Sequence, residues 1–80
     1  MRMSKQEIEE RGRKLRRSRL LKNIEKHGGA HGLYLAIDVI TSQYDISSSY
    51  DSLIDAIRRS DENTNIYAYR IGFAEGWAVW

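Results

Sequence analysis

The chain is 80 residues long and carries 13 Lys and Arg against 11 Asp and Glu, with no cysteine and no proline. That length makes one small domain with little room for an enclosed active site, and the missing cysteine excludes a disulfide staple or a thiolate metal centre. The formal charge of +2 hides an asymmetry: residues 1–27 hold ten basic and four acidic side chains, a balance of +6, and residues 28–80 hold three against seven, a balance of −4.

The first predicted element is a helix. Ser4, Lys5, Gln6 and Glu7 have capping-box spacing. Good helix formers follow, and Gly28-Gly29 supply a stop. The apolar stripe shifts on the way: Ile8, Gly12 and Leu15 share one side, whereas Leu20, Leu21 and Ile24 cluster on another. A single straight amphipathic helix keeps one stripe, so the segment divides in two. Residues 1–14 are expected to form a charged arm, helical or frayed, weakened at Gly12 by about 1 kcal/mol relative to Ala. Residues 15–80 are expected to form the domain proper, opening with a docked helix from about Leu15 to His27.

After Gly32 the period becomes two. Leu33, Leu35, Ile37 and Val39 point one way, and Tyr34, Ala36, Asp38 and Ile40 the other, as in a half-buried strand. Gln43 to Ser49 reads as a loop. Ser47-Ser48-Ser49 offers an N-cap, and Tyr50, Leu53, Ile54 and Ile57 follow as the clearest helical stripe in the chain. Arg58 and Arg59 close its last turn, where positive charge is favoured. Asp61 to Asn65 make a turn. Ile66 to Phe73 alternate again, with Tyr67, Tyr69, Ile71 and Phe73 on the more apolar face. Ala74-Glu75-Gly76 returns the chain as a hairpin through Trp77-Ala78-Val79-Trp80. The expected architecture is a small two-layer α+β domain of order α-β-α-β-β. Two helices lie on one face of a three-stranded mixed sheet whose two main strands are joined by a helical crossover and run parallel.

Signals for catalysis are thin. His27 and His31 are spaced four apart, but Gly28 and Gly29 intervene and no third ligand is nearby, so no metal site is expected. The glycine-rich stretch from Gly28 to Gly32 follows a helix and precedes a strand, the reverse of a phosphate-cradling loop, so no nucleotide cofactor is expected either. Asp38 is read as a cross-strand ion-pair mate of Arg70 on an exposed sheet face. The serines lack any nucleophile pattern. Most of the strand aromatics are read as core, because a domain this small needs bulky groups. Aromatics interleaved with Arg70 also suit base stacking. Trp77 and Trp80 fall on opposite faces of a strand, so one of them is expected at the surface or under a partner.

The strongest constellation is the basic helix. Arg11, Arg13, Lys14, Arg16, Arg17 and Arg19 surround its axis, with Lys22 beyond. Arg outnumbers Lys among the first six, which favours bidentate contact with phosphate or carboxylate. Glu7, Glu9 and Glu10 stand four residues before Arg11, Arg13 and Lys14 and are expected to pair with them. Too few large apolar groups accompany these charges for a membrane-surface helix, no stretch approaches a membrane span, and no secretory signal is read at the N-terminus. A cytoplasmic, soluble chain is expected.

The sequence therefore points to a non-enzymatic binding module that docks on a larger protein or nucleoprotein complex, through an acidic or phosphate-lined surface, and regulates or inhibits it. The expected binding residues are Arg11, Arg13, Lys14, Arg16, Arg17, Arg19, Lys22, Arg70, Trp77 and Trp80. Direct binding of DNA or RNA is the alternative, and open sheet edges leave room for a homodimer. The size and charged arm have the style of phage accessory and inhibitor proteins, an analogy with no motif behind it.

Overall fold

The computed structural model describes residues 3–27, 31–60 and 64–79. Helix α1 runs Lys5–Arg16 and α2 runs Arg19–Lys26. Both halves of the predicted capping box form: Ser4 Oγ accepts from the Glu7 amide at 3.2 Å, and the Ser4 amide donates to Glu7 Oε1 at 3.4 Å. The helices part at Arg17–Ser18, where Ser18 turns extended, with φ −72 and ψ 160. The shift of apolar stripe marks this break, two to three residues beyond the expected boundary. Ile8 is completely buried, as is Leu21 on α2, so the segment expected to be an arm contributes to the core. His27 caps α2, and the predicted glycine stop at Gly28 and Gly29 lies outside the described residues.

The sheet contains β1 (Tyr34–Asp38), β2 (Tyr44–Ser47), β3 (Ile66–Arg70) and β4 (Gly76–Val79), with α3 (Tyr50–Ser60) between β2 and β3. Its order is β2-β1-β3-β4, and every neighbouring pair is antiparallel. The α+β class holds. The three-stranded mixed sheet is corrected to four antiparallel strands, and the order of elements to α-α-β-β-α-β-β.

The unforeseen strand is β2, which falls in the predicted loop. It forms because Asp38 reverses the chain. Its carboxylate accepts from the amides of Ile40 at 2.8 Å and Thr41 at 3.1 Å, and Ser42 takes a left-handed φ of 65. The chain then returns along β1. Helical crossover does occur, but from β2 rather than β1. Because β2 and β3 are each antiparallel to β1, they are parallel to one another, and α3 joins them across it. Ser49 caps α3, its Oγ accepting from the Ser52 amide at 3.4 Å. The expected antiparallel β3–β4 hairpin forms, but β3 ends at Arg70 rather than Phe73 and Gly76 opens β4 rather than closing the turn.

Helices cover both sheet faces, not one. Ile8 and Leu21 pack with Leu35, Ile37, Tyr67, Tyr69 and Ala78 on the α1–α2 side. Leu53 and Ile54 of α3 pack with Ala36, Ile66, Ala68 and Val79 on the other. Small residues at Ala36 and Ala68, paired across β1 and β3, leave room for α3 to lie close. Strands buried on both faces lose the hydrophobic-in, polar-out contrast by which a half-covered sheet is recognised. Gly12 is explained by the same packing: its helix backbone lies against the Tyr67 ring, where a Cβ would overlap ring carbons.

Candidate functional site

Helices α1 and α2 form the outer layer over one sheet face. The residues they turn inward are Ile8, Gly12, Leu15, Leu21 and Ile24. Turned outward and exposed are Arg11, Arg13, Lys14, Arg17, Arg19 and Lys22. On α2 the spacing of Arg19, Lys22 and Lys26, at i, i+3 and i+7, puts three exposed cations on one side. The three predicted pairs from Glu7, Glu9 and Glu10 to Arg11, Arg13 and Lys14 do not close. Among the described residues the ion pair formed is Arg16 with Glu25. None of the six outward side chains makes a hydrogen bond or ion pair among the described residues. Long side chains at an aqueous surface gain little from pairing and keep their rotamer freedom.

Arg16 differs from its neighbours. It is half-buried, with its guanidinium 4.0 Å from the centroid of the Tyr69 ring. Nη1 donates to the Ala74 carbonyl at 2.8 Å, Nη2 donates to the Phe73 carbonyl, and Nε lies 3.8 Å from Glu25. This side chain ties α1 to α2 and to the β3–β4 turn. Glu25 also accepts from the Tyr69 hydroxyl at 2.8 Å. Burial, followed by that hydrogen bond to a carboxylate, holds the Tyr69 phenol well above its ordinary value. Burial also raises the Tyr67 phenol, against the opposing pull of Arg16 and Arg13.

A second cluster lies where β3 turns into β4. Arg70 is exposed, and its Nε donates to the Gly32 carbonyl at 2.9 Å. The guanidinium carbon stands 4.7 Å from the Phe73 ring centroid and 5.6 Å from that of Tyr34. His31 stacks on Phe73 with centroids 6.4 Å apart. Trp77 is half-buried, and its Nε1 donates to the Tyr50 hydroxyl at 2.9 Å. Together Tyr34, Arg70, Phe73, Ala74, Glu75 and Trp77 line a cleft of about 300 Å³.

The expected Arg70–Asp38 pair is overturned. Antiparallel register sets Arg70 opposite Tyr34 and Asp38 opposite Ile66, at opposite ends of the sheet. Asp38 is instead the buried organiser of the β1–β2 turn. Its end of the sheet carries a larger cleft, of about 380 Å³, whose lining includes Tyr44, Asp45 and Ile57. Trp80 lies outside the described residues. Arg11, Arg13, Lys14, Arg17, Arg19 and Lys22 thus lie exposed along α1, α2 and the turn between them, while Arg70 and Trp77 belong to a separate cleft beyond the turn that Arg16 holds.

Sequence reasoning missed Phe73, Tyr50 and His31. Phe73 continues the alternation of Tyr67, Tyr69 and Ile71, but β3 ends at Arg70 and the turn carries Phe73 outward to 49% exposure. The signal was Gly72, whose φ of 97 belongs to a turn and not to a strand interior. Among the described residues, no helix is long and apolar enough to cross a membrane. Comparison of the chain with protein-family models, with curated proteins and with solved structures gives no match.

Proposed function

We propose that the chain is a non-enzymatic binding module that docks through the exposed basic face of α1 and α2. Its partner is an acidic or phosphate-lined surface on a larger protein or nucleoprotein complex, which it regulates or inhibits. The observation that carries this reading is the set of six outward cations, Arg11, Arg13, Lys14, Arg17, Arg19 and Lys22, none paired among the described residues. Four of the six are arginine, whose planar fork matches carboxylate and phosphate oxygens bidentately.

The scaffold supports the same reading. Ile8, Gly12 and Leu21 anchor the two helices to the sheet. A helix pair fixed before binding loses less conformational entropy when it docks. Acids of the second half of the chain, such as Asp45, Asp51 and Asp55, leave the molecule dipolar, which orients its approach to a polyanion.

Direct binding of DNA or RNA is the second reading, because the same arginines suit phosphate oxygens as well as carboxylates. Affinity capture from native lysate separates the two, run with and without nuclease. A partner retained after nuclease is a protein bound directly, and one lost is held through nucleic acid. If neither condition captures a partner that a variant with Gln at positions 13, 17, 19 and 22 fails to capture, docking through the basic face is wrong.

A further inference from the structure

The cleft at the β3–β4 turn is built from groups that the basic-face reading does not use. Phe73 is a large ring, half-exposed, at the tip of a turn. Such a ring ordinarily moves, yet this one is in contact with His31 and with the Arg70 guanidinium. The turn beneath it is also fixed. The Phe73 amide donates to the Arg70 carbonyl at 3.0 Å, the Gly32 amide to the Ile71 carbonyl at 2.8 Å, and Arg16 holds the carbonyls of Phe73 and Ala74. Gly72 permits the approach, since a Cβ there would overlap the His31 imidazole. An aromatic surface held in place before binding keeps more of its contact energy as affinity.

The chemistry of the walls selects the ligand. Tyr34, Phe73 and Trp77 present ring surface, which favours a flat group. The Arg70 side chain spends Nε on Gly32 and makes no other hydrogen bond among the described residues, so its two terminal nitrogens remain to receive an anion. Glu75 is an exposed acceptor for an amino group. A volume of about 300 Å³ admits one ring system with its substituent, at the small end of ligand sites. A flat ring, an anion beside it and a donor edge together describe a nucleotide.

We infer that this cleft is a stacking site for one nucleotide of a single-stranded nucleic acid, the base against Phe73 and the phosphate on Arg70. Aromatic platforms beside cations bind single strands in this way, whereas a duplex keeps its bases stacked inside and has none to offer. Arg16 grips the same turn from the α1 side, and its chain neighbour Arg17 is exposed, so a strand leaving the cleft past that turn meets the basic face. The cleft does not depend on that face for its own contacts.

Fluorescence anisotropy with a short labelled oligodeoxycytidylate, whose base carries an amino group, tests the inference, beside a duplex of equal length and an oligoglutamate competitor. The parent is expected to bind the single strand at least about tenfold more tightly than the duplex. Phe73→Ala and Arg70→Gln are each expected to weaken single-strand binding about five- to a hundredfold while leaving any duplex binding within twofold. Both residues are exposed, so each variant should melt like the parent; one that does not is replaced by Phe73→Leu or Arg70→Lys, which keep bulk or charge but lose the planar stack. Three results would overturn the inference: no single-strand binding, unchanged binding in the variants, or displacement by oligoglutamate at equal monomer concentration. The last would assign the cleft to protein carboxylates. Duplex affinity reports the basic face alone, so failure at the cleft is read separately from failure of that face.

Discussion

Gly12 shows how one residue carries two opposite meanings until its neighbour is known. In an isolated helix it is a weak point, and Ala would improve it by about 1 kcal/mol. Packed on the Tyr67 ring it is a contact surface, and a Cβ has no space. Overpacking of this kind costs about 1–3 kcal/mol. Gly12→Ala is therefore expected to destabilise the protein, measured as a lower denaturant midpoint. A stabilised variant would mean that α1 stands off the sheet. Arg16 teaches a related lesson. It sits in a run of cations indistinguishable by sequence, yet it alone turns inward to Tyr69, Glu25 and the turn carbonyls. Nothing local in the sequence marks it, because its partners lie far along the chain.

The two buried phenols give a prediction of alkaline stability. Tyr69 and Tyr67 are both held above the ordinary 10.0 of the unfolded chain. Between pH 10 and the higher native values the unfolded state has released protons that the native state still holds, so stability falls as pH rises through this window. Below pH 10 both states are protonated and this contribution is complete. Titration followed by tyrosinate absorbance should show two of the five tyrosines ionising late, together with the loss of native circular dichroism. Substituting Glu25 with Gln removes one cause of the Tyr69 shift and should lower the pH at which it ionises. If Tyr67 and Tyr69 ionise near pH 10 with the fold intact, they are not buried as described.

At the scale of elements, patterns were legible where one local rule governed and obscure where two competed. The capping box at Ser4, the shifted stripe between Leu15 and Leu20, the helical repeat from Tyr50 to Ile57 and the β3–β4 hairpin each follow from neighbouring residues. β2 was obscure because it is a short edge strand. Tyr44 and Asp45 are exposed, and Ile46 is its one partly buried apolar residue in the core. The crossover was misplaced as a consequence, and so was the expected partner of Arg70. The second helical layer was hidden by Ala36 and Ala68, which read as weak strand positions but serve as seats for α3. Leu35→Ala and Leu53→Ala test the two layers independently. Each removes a fully buried side chain, from opposite faces of the sheet, at an expected cost of about 2–5 kcal/mol by denaturant unfolding. Ile57 is only partly buried, so Ile57→Ala should cost less than either. A silent Leu53→Ala would remove α3 from the sheet face.

For the whole molecule, charge and fold divide the labour. The sheet and its two cores hold α1 and α2 in place, and those helices carry the excess positive charge outward. The charge asymmetry along the chain was enough to make the candidate basic residues legible. It did not distinguish Arg16 from its neighbours, nor place Arg70 and Trp77 in a cleft of their own, because those assignments depend on register and on the turn at Gly72. The central claim is that the outward cations form a docking surface. Its most direct measurement is the affinity of a variant with Arg13, Arg17, Arg19 and Lys22 changed to Gln for the captured partner, read across a range of salt. Arg16 is left intact because it holds the turn. The variant should melt within a few degrees of the parent, since none of the four side chains is in the core, and it should lose binding at least about a hundredfold. A nucleic-acid partner should give the parent a log–log salt slope near about −4 to −5, for roughly four to six neutralised phosphates, and a protein partner a shallower one. A folded variant that binds as tightly as the parent, with the same salt dependence, would contradict the account: the basic face would then be a solvated surface with no partner.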